Sequence, residues 1–125
     1  TLEGTVMSER DGTIAVSVSG SSVEALGRVA AGRNVILCVR PENIIISHNA
    51  VGGSTSLRNV FQGTVTKILP LGPYQKIHVD CGFPLVAYIT NQSCRDLALR
   101  EGREVTASFK ATAIHVIPAN EGSSR

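Results

Sequence analysis

The feature that most constrains the fold is an internal repeat of short apolar segments. Residues 2–6 (LEGTV) recur as residues 61–65 (FQGTV), and residues 32–35 (GRNV) recur as residues 102–105 (GREV). The first offset is 61 − 2 = 59 residues and the second is 102 − 32 = 70, so the second copy holds an insertion. A chain with this pattern is one architecture built twice, and differences between the copies indicate where function lies.

Composition and periodicity predict that the repeated unit is made of short strands. The chain has 125 residues, no Trp and 12 Gly, and its apolar residues are mostly Val, Ile, Leu and Ala. Ile14, Val16 and Val18 alternate with small residues, which is typical of a half-buried strand. In the second copy, the pattern predicts strands near 59–68, 75–80, 84–89, 104–110 and 113–117. This length suits one compact module, or two very small units that share a core.

One short helix interrupts the strands of the second copy. Residues 91–100 place apolar side chains at helical spacing, Thr90 or Asn91 can cap the start, and Gly102 follows as a stop. Five short strands with a helix before the fourth are typical of a small Greek-key barrel of the OB type. We therefore expect an all-β fold of tandem OB-like barrels with one short helix, divided into 1–50, 51–118 and a disordered tail at 119–125. Residues 48–55 (HNAVGGST) are expected to link the copies.

Charge differs between the halves. Residues 1–55 carry a net charge of −1 and residues 56–117 a net charge of +3. This mild excess suits a small anion better than a nucleic acid, which needs a basic groove with stacking aromatic side chains. The chain also lacks a phosphate-binding GxxxxGK[ST] loop, a GxSxG elbow and an HExxH motif, so we expect a protein that is not an enzyme and uses no metal.

The three cysteines and the chain start bear on the cellular setting. Cys38, Cys81 and Cys94 form no CxxC pair, which favours a reducing compartment over a disulfide framework. No run of about 18 apolar residues and no signal peptide is present. The chain starts at Thr1, where the second copy reads Val60 and is preceded by Arg58-Asn59. We therefore expect a piece of a longer protein.

Three polar clusters in the second copy are candidates for binding an oxyanion. They are residues 56–59 (SLRN), 90–93 (TNQS) and 110–112 (KAT), and none contains an acidic residue. Cationic, hydroxyl and backbone N–H donors of this kind suit a tetrahedral dianion. The alternative is that these residues only cap and turn the chain. The candidate binding residues are Ser56, Arg58, Asn59, Thr90, Ser93, Lys110, Ala111 and Thr112.

The clusters resemble those of the molybdate-binding Mop fold. That pattern reads Ser-Ala-Arg-Asn, then Thr-x-x-Ser, then Lys-Ala-Ser, and this chain departs from it only with Leu57 and Thr112. Residues 39–44 (VRPENI) are similar to the RPE segment of TOBE domains. A TOBE half followed by a Mop-like half, over residues 1–117, resembles the tail of a tungstate or molybdate importer ATPase of the ABC type. Residues 69–73 and 83–90 are more similar to the tungstate-type members of this group.

The resemblance implies a function and partners. It implies a cytoplasmic regulatory domain that binds tungstate or molybdate, with no intrinsic cofactor, and slows import when the anion is abundant. It also implies a homodimer formed through this domain, contacts with the ATPase domain of the same chain and with membrane permease subunits, and a position at the inner face of the membrane. Because Pro41 and Glu42 stand where the second copy has Ala111 and Thr112, we expect no second anion site in the first copy.

Three other functions remain open on the sequence. A stand-alone oxyanion storage protein would use the same Mop fold, and the RPE segment argues against it. An OB module that binds nucleic acid would need more aromatic and basic residues than this chain has. A TOBE module could also sense another solute, such as a sugar or sulfate, or make only protein contacts.

Overall fold

The computed structural model describes residues 1–48 and 58–119. These residues form ten strands, one α-helix and two 3-10 turns. The strands are β1 Leu2–Arg10, β2 Thr13–Val18, β3 Ser21–Leu26, β4 Asn34–Val39, β5 Ile45–Ser47, β6 Arg58–Leu71, β7 Tyr74–Asp80, β8 Pro84–Thr90, β9 Glu104–Lys110 and β10 Ile114–Pro118. The helix α1 spans Asn91–Asp96, and the 3-10 turns span Pro41–Asn43 and Ala111–Ala113.

The strands form two curled five-stranded sheets that exchange one strand each. The first sheet has the order β10-β4-β1-β2-β3 and the second has the order β5-β9-β6-β7-β8. All neighbouring strands are antiparallel. Strand β5 pairs with β9 of the other copy, and β10 pairs with β4. The all-β fold of tandem OB-like barrels is confirmed, while each barrel takes four strands from one half of the sequence and one from the other.

The repeat is preserved in the close contacts of the two long strands. A Cβ on Gly4 would lie 2.5 Å from the carbonyl oxygen of Ser17, and one on Gly63 would lie 2.6 Å from Val79 Cγ1. Each barrel therefore needs glycine where its first strand crosses the second. Both β1 and β6 also contain a bulge soon after this glycine, next to Val6 and Val65. Bulges bend and twist a strand, which allows each long strand to curl around its barrel.

The glycines that enter the fourth strand of each barrel also correspond. Gly32 and Gly102 have φ values of 92° and 90°, a region that glycine adopts without steric cost. The Gly32 N–H donates to the carbonyl of Val6 at 2.8 Å, and the Gly102 N–H donates to that of Val65 at 2.7 Å. The turns thus clamp the bulged part of each long strand in the same way.

Each barrel is filled by the inward side of its strands. Val6, Val16 and Leu37 are buried in the first barrel, and Val65, Ile77 and Phe109 in the second. Phe109 packs 6.0 Å from Phe61, measured between ring centroids, and Phe61 packs edge-on against Phe83 at 5.0 Å. Burial of these apolar side chains is the main force that holds the strands together.

The helix is shorter than the sequence indicates. It ends at Asp96, because Ala98 turns left-handed with a φ of 52°. The N–H of Leu99 donates to the carbonyl of Cys94, and that of Ala98 donates to the carbonyl of Arg95, which are the two bonds of a Schellman motif. The prediction that Gly102 stops the helix is therefore wrong, since Gly102 starts the turn into β9.

The remaining expectations about the chain ends fall largely outside the described residues. Residues 49–57, which include most of the expected linker, and 120–125 of the expected tail lie there. Ala119 is described, and its N–H donates to the carbonyl of Asn34 at 2.9 Å.

Cys38, Cys81 and Cys94 are free and half-buried. Within residues 1–48 and 58–119, no helix is long and apolar enough to cross a membrane.

Candidate functional site

Two of the cationic candidates stand opposite each other at one end of the second barrel. Arg58 is the first residue of β6 and Lys110 is the last residue of β9, and the two pair in the antiparallel register. Directly opposed residues of an antiparallel pair have their Cβ atoms about 5 Å apart. The Lys110 side chain is exposed, and the 3-10 turn Ala111–Ala113 follows it at once. The register thus brings together two clusters that are about 50 residues apart in the sequence.

The turn after Lys110 differs in charge from its counterpart in the first barrel. Arg40 precedes the turn Pro41–Asn43 as Lys110 precedes Ala111–Ala113. A guanidinium nitrogen of Arg40 lies 3.9 Å from a carboxylate oxygen of Glu42, and both side chains are exposed. Thr112 occupies the position of Glu42 and is exposed, whereas Ala111 is fully buried. Only the second barrel therefore combines a cation and a hydroxyl at this turn without a carboxylate.

The Asn59 side chain makes hydrogen bonds to the backbone of a neighbouring strand. Its side chain is only 5% exposed, and its amide makes two hydrogen bonds with the backbone of Glu24 in β3. The Glu24 N–H donates to Asn59 Oδ1 at 2.8 Å, and Asn59 Nδ2 donates to the Glu24 carbonyl at 2.9 Å. The amide thus satisfies both backbone groups of an edge residue and fastens the start of β6 to the other barrel. In this structure the oxygen and the nitrogen of the Asn59 amide each make a hydrogen bond within the protein.

The same contact brings an acidic residue to this end of the barrel. The Glu24 side chain is exposed, and its strand β3 packs against the turn Ala111–Ala113. The sequence clusters contain no acidic residue, and nothing local in the sequence links Glu24 to them. The position of Glu24 near this turn depends on how β3, in the first half of the chain, packs against the second half.

The third cluster forms the start of α1. Thr90 Oγ1 accepts a hydrogen bond from the Ser93 N–H at 3.0 Å, so Thr90 is the N-cap, as the sequence predicts. The Thr90 hydroxyl also donates to Ser93 Oγ at 3.0 Å. Both side chains line a groove of about 500 Å³ with Ile45, Leu97 and Asp96. The Asp96 carboxylate accepts a hydrogen bond from Gln92 Nε2 at 2.8 Å.

The start of α1 and the turn after Lys110, which carry two of the candidate clusters, pack against different strands. Helix α1 packs on β7 and β8, whereas the turn Ala111–Ala113 packs on β3 of the first sheet. Within the described residues, no hydrogen bond joins Thr90 or Ser93 to Lys110 or Thr112. Ser56 lies outside those residues. The structure thus pairs Arg58 with Lys110 in the register of β6 and β9, and it joins Thr90 to Ser93 by hydrogen bonds.

Among the described residues, the other titratable groups form no cluster that could hold a metal ion, and two of them have shifted pKa values. Within residues 1–48 and 58–119, no group of three or more His, Cys, Asp or Glu residues could hold a metal ion. Burial, assisted by Lys76 and Lys67, lowers the pKa of His78. Burial, assisted by Asp80, raises the pKa of the Cys81 thiol to about 11. Both shifts favour the neutral form, so neither group acts as a charge at neutral pH.

The class of domain follows from the second half of the chain. Residues 55–116, which contain the described candidate residues, match the TOBE domain. The chain therefore contains a TOBE domain, built as one member of a pair of OB-like barrels.

Particular relatives are transport proteins. The chain is 45% identical over 96 residues to the molybdate/tungstate import ATP-binding protein WtpC of Pyrococcus horikoshii, covering 76% of this chain and 26% of that protein. It is 46% identical over 79 residues to WtpC of Pyrococcus abyssi, covering 62% of this chain and 22% of that protein. The molybdenum transport protein ModE of Herbaspirillum seropedicae is 29% identical over 91 residues, covering 71% and 34%. The chain spans about a quarter of the length of the two WtpC proteins.

A solved structure shares the whole fold. The cytoplasmic molybdate-binding protein ModG, crystallised with molybdate bound, superposes with a TM-score of 0.81 over 93% of each chain. The sequence identity is 21%, so this likeness shows the fold alone. It matches the tandem barrel architecture described above.

Proposed function

We propose that this chain is a regulatory domain of an importer ATPase subunit that binds tungstate or molybdate. The observation that carries the proposal is the pairing of Arg58 with Lys110 beside the exposed hydroxyl of Thr112. Cations and hydroxyls at one strand end can share the charge of a tetrahedral dianion. The relationship to WtpC supports both the ligand class and the transport setting.

The same proposal assigns partners and a place in the cell. As in the WtpC relatives, the domain would belong to an ATP-binding subunit and act with membrane permease subunits at the cytoplasmic face. The bound anion would then regulate import as a ligand, and the domain itself would bind and not catalyse. Tungstate and molybdate have nearly the same size and charge, so the donors described here suit either.

The site is proposed to form between two copies of the domain. One copy would supply Arg58 and Lys110, and the other would supply Thr90 and Ser93, as the resemblance to the Mop fold suggests. Ala111 and Thr112 would border the anion on the side of Lys110, and Ser56 and Asn59 would border it on the side of Arg58, where Asn59 is the second residue of β6. The anion would favour the arrangement of subunits that completes the site and thereby inhibit import, because a ligand shifts a conformational equilibrium only through different affinities for its states.

Anion binding and dimerisation are therefore expected to be linked. If two chains share each site, tungstate must tighten the dimer, and dimerisation must raise tungstate affinity by the same factor. Calorimetry should give about one anion per chain, because the equivalent turn of the first barrel carries the Glu42 carboxylate beside Arg40, and that carboxylate repels a dianion. Sedimentation with and without tungstate measures how strongly the anion tightens the dimer. A chain that stays monomeric while it binds tungstate tightly would contradict the shared site, and two equivalent anions per chain would contradict the difference between the barrels.

The calorimetric screen also separates the alternative functions. Tungstate, molybdate and sulfate should be compared at one ionic strength, with a sugar as an uncharged reference. Binding of sulfate or the sugar in preference to the metal oxyanions would favour a TOBE module that senses another solute. Binding of none would favour a module that makes only protein contacts.

Glu24 is expected to weaken the site. Its exposed carboxylate stands on the strand that packs against the turn after Lys110, so a dianion there is repelled. Glu24→Gln should raise tungstate affinity by about two- to fivefold at low salt, with a smaller gain at high salt. The hydrogen bonds to Asn59 use only the backbone of Glu24 and should remain. Glu104→Gln is the matched control, because Glu104 begins the strand that Lys110 ends. A loss of affinity in Glu24→Gln would show that this carboxylate positions the cations.

A further inference from the structure

A groove of about 360 Å³ lies beside the start of β1, where the two halves of the chain meet. Thr1, Val39 at the end of β4, and Val86 of β8 are among the residues that line it. The turn Pro41–Asn43, which also contributes to the groove, packs against β8, as the turn Ala111–Ala113 packs against β3. The groove therefore belongs to the internal repeat and has a counterpart in the second half of the chain.

In the counterpart, the corresponding place is occupied by Asn59, whose side chain is almost fully buried. Asn59 pairs with Phe109 of β9, and the repeat aligns Phe109 with Val39. The Asn59 amide accepts a hydrogen bond from the Glu24 N–H at 2.8 Å and donates one to the Glu24 carbonyl at 2.9 Å. In the first barrel, the position aligned with Asn59 directly precedes Thr1. A residue at that position would enter the groove.

The edge of β8 presents the same two backbone groups at Val86. Strands β3 and β8 each end a sheet, so each is paired on one side only. Glu24 lies two residues after the partner of Ser17. Val86 lies two residues after the partner of Asp80, which the repeat aligns with Ser17. Because the Glu24 N–H and carbonyl point away from β2 to reach Asn59, those of Val86 point away from β7 and into the groove.

Strand β4 also has an open side at the groove. The pairing of β1 with β4 begins at Leu2 and Leu37, whereas that of β6 with β9 begins two strand positions further out, at Arg58 and Lys110, once the repeat offset is applied. Val39 pairs with β10 on its other side. A chain that continued β1 backwards from Thr1 would therefore run along Val39, as the start of β6 runs along β9.

The two backbone groups of Val86 determine which side chain fits. An N–H and a carbonyl of one residue are matched by a carboxamide, which has one acceptor oxygen and an NH₂ donor. A carboxylate offers no donor to the Val86 carbonyl. An apolar side chain would cover both groups and leave them without hydrogen bonds, which costs free energy.

We infer that this groove is a docking site for a side-chain carboxamide on a residue directly before Thr1. That residue would extend β1 along Val39 and make two hydrogen bonds with the backbone of Val86. Each barrel would then be fastened to the edge strand of the other, because Asn59 already makes the equivalent contact with Glu24. In a longer protein, the segment that enters β1 would be held by β8, the strand that leads into Thr90 and α1. The inference goes beyond the proposed function and does not depend on which ligand the second barrel binds.

The first test adds two residues before Thr1 and measures thermal stability. The extension Arg-Asn copies Arg58-Asn59, and the extension Arg-Ala is its matched control. The Arg-Asn chain should have a Tm about 5 °C above that of the Arg-Ala chain, because it adds two hydrogen bonds at a sheet edge. An Arg-Asp chain should fall between them, since Lys76 borders the groove and can attract the carboxylate, which cannot donate to the Val86 carbonyl. Equal Tm values for Arg-Asn and Arg-Ala would overturn the inference.

The second test reads the contact at one atom. Amide hydrogen exchange, followed by NMR, should be slowed at Val86 by about tenfold or more in the Arg-Asn chain relative to the Arg-Ala chain. The Glu24 amide is the internal reference, because Asn59 binds it in both chains, and its exchange rate relative to the most protected amides should not change. Equal slowing at Val86 in both chains would show that strand extension covers this edge without a carboxamide. A higher Tm with unchanged exchange at Val86 would place the stabilising contact elsewhere, and either result would overturn the inference.

Discussion

Replacing Arg58 or Lys110 by Ala is expected to abolish most of the affinity for tungstate. The two residues are register partners at the start of β6 and the end of β9, and guanidinium and ammonium groups can each donate a hydrogen bond to a charged ligand. Such a bond contributes about 1.5–3 kcal/mol, so each single variant should bind about 10- to 150-fold more weakly. Calorimetry at one fixed salt concentration measures the loss, and circular dichroism establishes that the variants keep their strands.

Arg40 offers a control at the same position of the other barrel. It is an exposed cation that precedes a 3-10 turn, as Lys110 is, but it lies 3.9 Å from Glu42. Arg40→Ala therefore removes the same net charge and should leave tungstate affinity nearly unchanged. Equal losses in Arg40→Ala and Lys110→Ala would show that only overall charge attracts the anion. Unchanged affinity in Arg58→Ala would contradict the assignment of this residue.

Replacing Asn59 by Ala is expected to destabilise the whole domain. The substitution leaves the Glu24 N–H and carbonyl without their two hydrogen bonds at a place that is almost fully buried. Each unsatisfied group costs about 1–3 kcal/mol, so the two together should lower the free energy of unfolding by about 2–6 kcal/mol. A decrease in Tm on the order of 10 °C is expected for a domain of this size.

A second substitution separates a structural role of Asn59 from a role in binding the anion. Asn59→Asp keeps the acceptor for the Glu24 N–H but, when ionised, has no donor for the Glu24 carbonyl. Protonation restores a donor, so the folded state should bind the proton more tightly than the unfolded chain, and the variant should regain stability as the pH falls. A variant of Asn59 with normal Tm and lost tungstate affinity would instead identify the residue as a ligand.

The sequence predicts the elements of this fold well because the repeat is written in short-range patterns. Alternating apolar residues, turn glycines and the Thr90 cap each act within a few positions, and the observed strands of the second copy follow them closely. The sequence does not predict the end of α1, because Ala98 takes a left-handed conformation that Ala does not favour. Leu97 and Leu99 on either side of it pack against the core. The exchange of β5 and β10 has no local signal, since either strand could pair with its own half.

The sequence predicts which residues belong to the candidate site better than it predicts how they are arranged in space. Lys110 and Arg58 were found as motif residues, and the register then shows that they are opposed. The binding of Asn59 to the protein backbone could not be foreseen, because its partner Glu24 lies 35 residues away in the other copy. The approach of Glu24 is missed for the same reason. Long-range contacts of this kind depend on how two sheets pack, which no short motif encodes.

The exchange of strands between the barrels has a consequence for how the chain folds and evolves. Neither half of the sequence contains a complete sheet, because β5 completes the second barrel and β10 completes the first. Opening one barrel therefore removes an edge strand from the other, which favours a single cooperative unfolding transition over two separate ones. A duplicated unit that closed on itself could later be deleted or replaced alone. These two copies are interdependent, so the second can specialise in a ligand while the first is retained as the partner that completes its fold.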